Sequence, residues 1–158
     1  MARRKVRTEP APMPRSARWL GFAGLIPQVA LAAVVIGGSP DLGPTAVRLA
    51  LCYAALILSF LGGTWWGLAA QSGKRSPPWM WVAAVAPSLV AFAALGLWVL
   101  AQSPAASIAA TGAALIAALA VDYKLAASDL CPSGWLGLRT PLSLGLGGLC
   151  LLIATIAA

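Results

Sequence analysis

The chain alternates long apolar stretches with short polar ones, and this pattern predicts its elements. A helix rises about 1.5 Å per residue and a bilayer core is about 30 Å thick, so a spanning helix needs about 20 apolar residues. Five stretches with few or no charges approach that length. They predict membrane helices over residues 19–38, 49–70, 79–101, 105–124 and 140–158.

Composition supports a membrane protein. Of the 158 residues, 60% are hydrophobic and 9% charged, whereas a soluble domain carries roughly 25% charged residues. No connection between the predicted helices is long enough for a soluble domain. We therefore expect an all-α, polytopic integral membrane protein with five transmembrane helices in one compact bundle over residues 19–158, after a basic, Pro-rich cytoplasmic tail over residues 1–18.

The basic residues predict the orientation. Cytoplasmic loops of membrane proteins are enriched in Lys and Arg, and with five spans only Arg48 falls on the side opposite the other ten. This places the N-terminus in the cytoplasm and the C-terminus outside. The net charge of +7 is then explained by topology and by attraction to anionic lipid headgroups, and no nucleic-acid partner is expected. The ten are Arg3, Arg4, Lys5, Arg7, Arg15, Arg18, Lys74, Arg75, Lys124 and Arg139.

The N-terminal segment has three interpretations. Its basic composition is typical of a transit peptide, but Pro10, Pro12 and Pro14 disfavour the amphipathic helix that such peptides form. A cleaved signal peptide could end at Ala30-Leu31-Ala32, although the apolar run continues beyond it. A retained signal-anchor is the interpretation we favour.

Little in the sequence indicates a cofactor or catalysis. Cys52, Cys131 and Cys150 fall at different predicted depths, and the chain has no histidine, which excludes His-ligated haem and the common zinc sites. No ionisable residue lies near the centre of a span, so no proton path or catalytic base is evident. We expect no metal, no cofactor and no enzymatic activity.

Three charged residues are predicted to interact at the inner boundary. Asp122 closes the fourth span, and Lys124 and Arg139 are the nearest opposite charges. A carboxylate at that depth is costly unless it is paired. We expect an ion pair of Asp122 with Lys124 or Arg139 that ties the fourth span to the fifth.

The second span contains a row of small residues. Ser59, Gly63 and Gly67 are spaced i, i+4 and i+8, and Gly62 widens the row. Such rows let a second helix approach closely in a membrane. We predict a contact surface here, either for packing within this chain or for docking another subunit.

Tryptophan is concentrated at the inner boundary, where indole rings commonly anchor helices. With nearby basic residues they could also form a pocket for an anionic lipid or a partner. The residues predicted for this inner face are Arg18, Trp19, Trp65, Trp66, Trp79, Trp81, Trp135 and Arg139.

Two spans carry an internal proline followed by a polar residue: Pro27 before Gln28, and Pro87 before Ser88. Prolines kink membrane helices, often without further consequence, but broken helices also line transport sites. The kinks therefore support an alternative function as a carrier or channel for a neutral or lipid-like solute.

The segment from Ile57 to Gly67, Ile-Leu-Ser-Phe-Leu-Gly-Gly-Thr-Trp-Trp-Gly, resembles the signature of a domain-of-unknown-function family that includes transmembrane protein 69 and bacterial homologues. The resemblance extends from about Ala17 to the C-terminus. It implies a five-helix inner-membrane protein without an established activity, and it implies Arg or His where this chain has Trp65. Further matches are Gly21-x-x-Gly24-Leu25-Ile26-Pro27, Pro87, Asp122, Pro132-x-x-Trp135 and Leu138-Arg139.

Taken together, these patterns favour a non-catalytic accessory or assembly subunit that docks to a larger respiratory or photosynthetic membrane complex. Its expected partners are anionic lipids at the inner face and other membrane subunits.

Overall fold

The structure is a computed structural model that describes residues 13–158. Over these residues the chain is helical, with five helical segments long and apolar enough to cross a membrane, which confirms the predicted fold class. The first and fourth spans each consist of two helices, α1 with α2 and α5 with α6. The helices are α1 (Arg15–Ala23), α2 (Ile26–Ile36), α3 (Gly43–Ser72), α4 (Pro78–Ala101), α5 (Pro104–Ala117), α6 (Leu119–Ala127) and α7 (Trp135–Ile156).

The helices extend beyond the predicted spans at several ends. The first helix begins at Arg15, inside the predicted tail, and the last begins at Trp135 rather than at residue 140. Charged side chains at a helix end can reach the headgroups while their stems stay apolar, so a charge does not end a helix. Residues 1–12 of the predicted tail lie outside the described residues.

Prolines mark the starts of several helices. Pro78 and Pro104 are the first residues of α4 and α5, and Pro27 and Pro44 lie in the first turns of α2 and α3. A proline at this position loses no intrahelical hydrogen bond, because the first backbone N–H groups have no acceptor in the helix. Gly134 precedes α7 with φ +81°, a conformation that glycine adopts without steric cost.

The five spans pack as a ring in chain order. The second span, α3, is the most buried, with packing against α2, α4 and α5, and α7 closes the ring between α5 and α2. One end of the bundle has its own core, formed around Trp65, Leu61 and Leu125. We call this end the basic end, because of the seven basic residues between positions 13 and 158 all but Arg48 lie there.

Small residues make the closest helix contacts. A Cβ added at Gly62 on α3 would overlap the carbonyl oxygen of Ala84 on α4. Gly112 on α5 and Gly147 on α7 face each other, and a Cβ on Gly147 would lie 2.8 Å from the Gly112 carbonyl oxygen. Helices in membranes associate largely through such packing, and these two contacts hold α3 to α4 and α5 to α7.

The predicted kinks have different structural settings. Pro27 lies where α1 gives way to α2, and the Tyr53 hydroxyl donates a hydrogen bond of 2.5 Å to the carbonyl of Gly24 at this junction. Pro87 lies inside α4 and is buried. A third proline, Pro141, lies inside α7. Side-chain hydrogen bonds to the backbone near a helix break, such as the one from Tyr53, help membrane helices tolerate proline.

A candidate functional site at the basic end of the bundle

The best-defined polar cluster surrounds Asp122 on α6, whose side chain is fully buried. Trp65 and Trp135 both donate their indole N–H to Oδ1, at 2.9 and 2.8 Å. The Arg139 Nε donates to Oδ2 at 3.1 Å and forms an ion pair with it. The predicted pairing of Asp122 with Arg139 is confirmed. Three helices, α3, α6 and α7, thus meet at one carboxylate.

The arrangement follows from where each residue lies on its helix. Trp135 is the first residue of α7 and Arg139 follows one turn later, so both can face the end of α6. Arg139 also donates from Nη2 to the Ser143 hydroxyl at 3.3 Å. A buried carboxylate is costly unless donors occupy it, and here both oxygens of Asp122 accept hydrogen bonds. Chemically, the cluster is a neutralised ion pair that locks helices together.

Lys124, the other partner predicted for Asp122, does not share this ion pair, so of the two alternatives only Arg139 is correct. Its Nζ lies 4.2 Å from the ring centroid of Trp79, a cation–π contact, and the Lys124 side chain is exposed. Successive residues on a helix point about 100° apart, so Asp122 and Lys124 cannot both face the same partner. Lys124 therefore links α6 to α4, while Asp122 links α6 to α3 and α7.

The sequence did not indicate the role of Trp65. We expected an interfacial anchor, but only 2% of its surface is exposed, and its indole is a hydrogen-bond donor to Asp122. The two adjacent tryptophans lie in different environments. Trp66 is half exposed and packs edge to face on Trp81, with ring centroids 4.8 Å apart. A possible signal was the family resemblance, which implied a cationic donor at position 65, where an indole donates instead.

The predicted inner-face set does not form one pocket. Trp65 and Arg139 are engaged by Asp122, and Trp79 is covered by Lys124. Trp19 is 77% exposed on α1, near Arg18. The set therefore divides into an internal cluster and an exposed surface on α1.

The row of small residues on α3 also needs correction. Ser59 contacts α4, since its hydroxyl lies 2.9 Å from that of Ser88. Apart from the adjoining residues and backbone of α3 itself, no atom in the described part of the chain comes within 4 Å of a Cβ placed on Gly63 or Gly67, and both are exposed. As a packing surface within this chain the prediction is wrong for these two glycines, and the close contact is made by Gly62. Docking to another subunit stays a prediction.

Gln28 is a buried polar residue in the first span. Its Nε2 donates to the Cys150 sulfur at 3.3 Å, and its Oε1 has no hydrogen-bond partner among residues 13–158. Ser88, by contrast, is on the outer surface beside Ser59. The polar residues that follow the two prolines thus lie in different surroundings, one buried and one exposed, and they do not line a common path.

The cysteines lie in three separate environments: Cys150 is buried, and Cys52 and Cys131 are partly exposed. Residues 13–158 contain no group of three or more potential Cys, Asp or Glu ligands that could hold a metal ion. Burial raises the pKa of the Cys131 thiol in the loop between α6 and α7, and the negative charges of Asp122 and Asp129 raise it further.

Comparison with known proteins identifies the family. A curated relative, "Transmembrane protein 69" of Xenopus tropicalis, is 38% identical over 84 residues, which cover 52% of this chain and 33% of that protein. The match thus spans about a third of the relative's length, and no solved structure matches the chain. The model of a family described as "Protein of unknown function (DUF3429)" matches residues 13–156. Since that match covers nearly all of the described residues, this multi-pass membrane protein belongs to the DUF3429 family.

Proposed function

We propose that the protein is a non-catalytic accessory or assembly subunit that docks to a larger membrane complex through α3. The observation that carries the proposal is the outward position of Gly63 and Gly67. Glycines that pack against nothing in their own chain weaken a helix, by about 1 kcal/mol each relative to Ala in soluble hosts. On a membrane-facing surface they leave room for the backbone of another helix.

The neighbouring surface supports this assignment. Phe60 and Trp66 lie one turn before and one turn after Gly63 on α3, and they are 69% and 50% exposed. The two glycines therefore form a shallow depression between these large side chains. A helix from another subunit that carries small residues would fit such a depression. The Ser59–Ser88 pair at its edge adds hydroxyls that can bond to an incoming helix.

The carrier alternative has less support. It relied on two broken helices whose polar residues share a path, but Gln28 lies between α2 and α7 and Ser88 lies on the outer face of α4 beside α3. Transport sites of that kind need both elements to face the same cavity. We also place the protein in a bacterial inner membrane with the basic end in the cytoplasm, as the distribution of Lys and Arg favours.

The test is purification of tagged protein from its native membrane in mild detergent. Gly63→Leu fills the depression. We therefore expect the variant to keep the thermal stability of the wild type, but to lose a subunit that co-purifies with the wild-type protein. Gly148→Leu is the matched control, because Gly148 on α7 is also exposed, and an added Cβ there would contact no other helix among the described residues.

Two results would overturn the proposal. One is that the wild-type protein purifies without any other subunit, under conditions that preserve known complexes of the same membrane. The other is a Gly63→Leu protein that retains the same subunits as Gly148→Leu.

A further inference from the structure

The outward face of α1 combines two cations with two aromatic rings. Arg15, Arg18, Trp19 and Phe22 follow the spacing i, i+3, i+4 and i+7 and line one groove of about 370 Å³. Residues at this spacing lie on a single face of a helix. We call these four residues the α1 face.

A different side of α1, at Gly21, holds the helix against the bundle. A Cβ added at Gly21 would lie 3.0 Å from a methyl carbon of Leu138 and 3.4 Å from one of Leu142, both on α7. All four residues of the α1 face are exposed, so this face points away from the bundle. Trp19 is accordingly 77% exposed, and Phe22 37%.

The charges of the α1 face are not neutralised within the described structure. Asp122 pairs with Arg139, and among residues 13–158 neither Arg15 nor Arg18 forms an ion pair with an acidic side chain. In contrast to Arg139, these two guanidinium groups are available to an external anion.

The dimensions suit a phospholipid. From Arg15 to Phe22 the helix rises about 10 Å, enough to place the guanidinium groups at the phosphates and the Phe22 ring among the upper acyl chains. Trp19 lies between them, at the depth where indole rings concentrate. Arginine binds phosphate oxygens with a forked set of N–H donors.

We propose that the α1 face binds an anionic phospholipid of the leaflet at the basic end, with its phosphate held by Arg15 and Arg18 and an acyl chain against Trp19 and Phe22. The net negative charge selects this lipid over a zwitterionic one, in which the headgroup cation would lie close to the two arginines.

The experiment is native mass spectrometry of the full-length protein in mild detergent, titrated with phosphatidylglycerol or with phosphatidylcholine of the same acyl chains. We expect the wild type to bind phosphatidylglycerol more tightly. Arg15→Gln with Arg18→Gln should weaken this binding about tenfold or more, since each substitution removes charge-assisted hydrogen bonds to the phosphate, worth about 1.5 kcal/mol or more each. Binding of phosphatidylcholine should not change.

Two controls separate this site from general charge effects. Arg75→Gln removes an exposed cation at the same end of the bundle and should change phosphatidylglycerol binding less than about twofold. Arg15→Lys with Arg18→Lys keeps both charges and should retain most of the preference. Equal binding of the two lipids by the wild type would overturn the proposal. So would an equal loss in Arg75→Gln and in the double Gln variant.

Discussion

At the scale of single residues, Asp122 accepts three hydrogen bonds from side chains on two other helices. One donor lies on α3 and two lie on α7. Removing its charge leaves the largely buried Arg139 guanidinium, 13% exposed, without a counter-ion, which is more costly than replacing both partners. The cluster is therefore the place where a change of one atom should have the largest effect.

We predict that Asp122→Asn lowers the free energy of unfolding by about 1–3 kcal/mol, the cost of leaving a buried polar group without its partner. Thermal or denaturant unfolding in mild detergent measures it. Asp129→Asn is the control: Asp129 lies in an exposed loop with φ +53°, a conformation that Asn tolerates. Combining Asp122→Asn with Arg139→Gln should recover part of the loss. Equal stabilities of Asp122→Asn and Asp129→Asn would contradict this account.

The reactivity of the Cys131 thiol reports on the charges of the nearby carboxylates. Burial, and then the charges of Asp122 and Asp129, raise its pKa, so near neutral pH the thiol stays protonated and reacts slowly with alkylating reagents. Asp129→Asn removes one of the charges, lowers the pKa and should speed alkylation by iodoacetamide, measured by peptide mass spectrometry. Asp41→Asn, at the opposite end of the bundle, should leave the rate unchanged. If both variants react alike, the carboxylates do not act on this thiol.

At the scale of helices, the glycines of α3 differ in what they contact. Gly62→Ala forces a Cβ onto the Ala84 carbonyl of α4, and overpacking of this kind costs about 1–3 kcal/mol. Gly63→Ala adds a methyl group to an exposed position and should be neutral or slightly stabilising, because Ala favours a helix. Unfolding in mild detergent of the two variants side by side checks the difference, and the reverse order would refute the packing described for α3.

The sequence was sufficient to predict a pairing of charged side chains near the span ends. It was not sufficient to predict which side of an apolar helix faces the protein interior and which faces lipid. Asp122 and Arg139 could be paired in advance, because few charges lie near the span ends and a buried carboxylate needs a partner. Gly62 and Gly63 could not be distinguished, since lipid and protein interior are equally apolar and hydrophobic periodicity carries no signal there. The same ambiguity concealed the burial of Trp65.

At the scale of the whole molecule, five spans place the two ends of the bundle on opposite sides of the membrane. If the basic end lies in the cytoplasm, as we propose from the distribution of Lys and Arg, alkaline phosphatase fused after Ala158 should be active, since this enzyme folds only outside the cytoplasm. The same reporter fused after Leu130, in the loop between α6 and α7, should be inactive. Activity at Leu130 with none at Ala158 would reverse the orientation, and activity at both would contradict the number of spans.

The Asp122–Arg139 pair also bears on how the chain enters the membrane during synthesis. The two charges are 17 residues apart and belong to consecutive spans. Either of them, alone in hydrocarbon, opposes the partitioning of its span, and each becomes acceptable only when the other neutralises it. We therefore expect the last two spans to leave the translocon as one helical hairpin, with Arg139 arriving before Asp122 settles at its final depth.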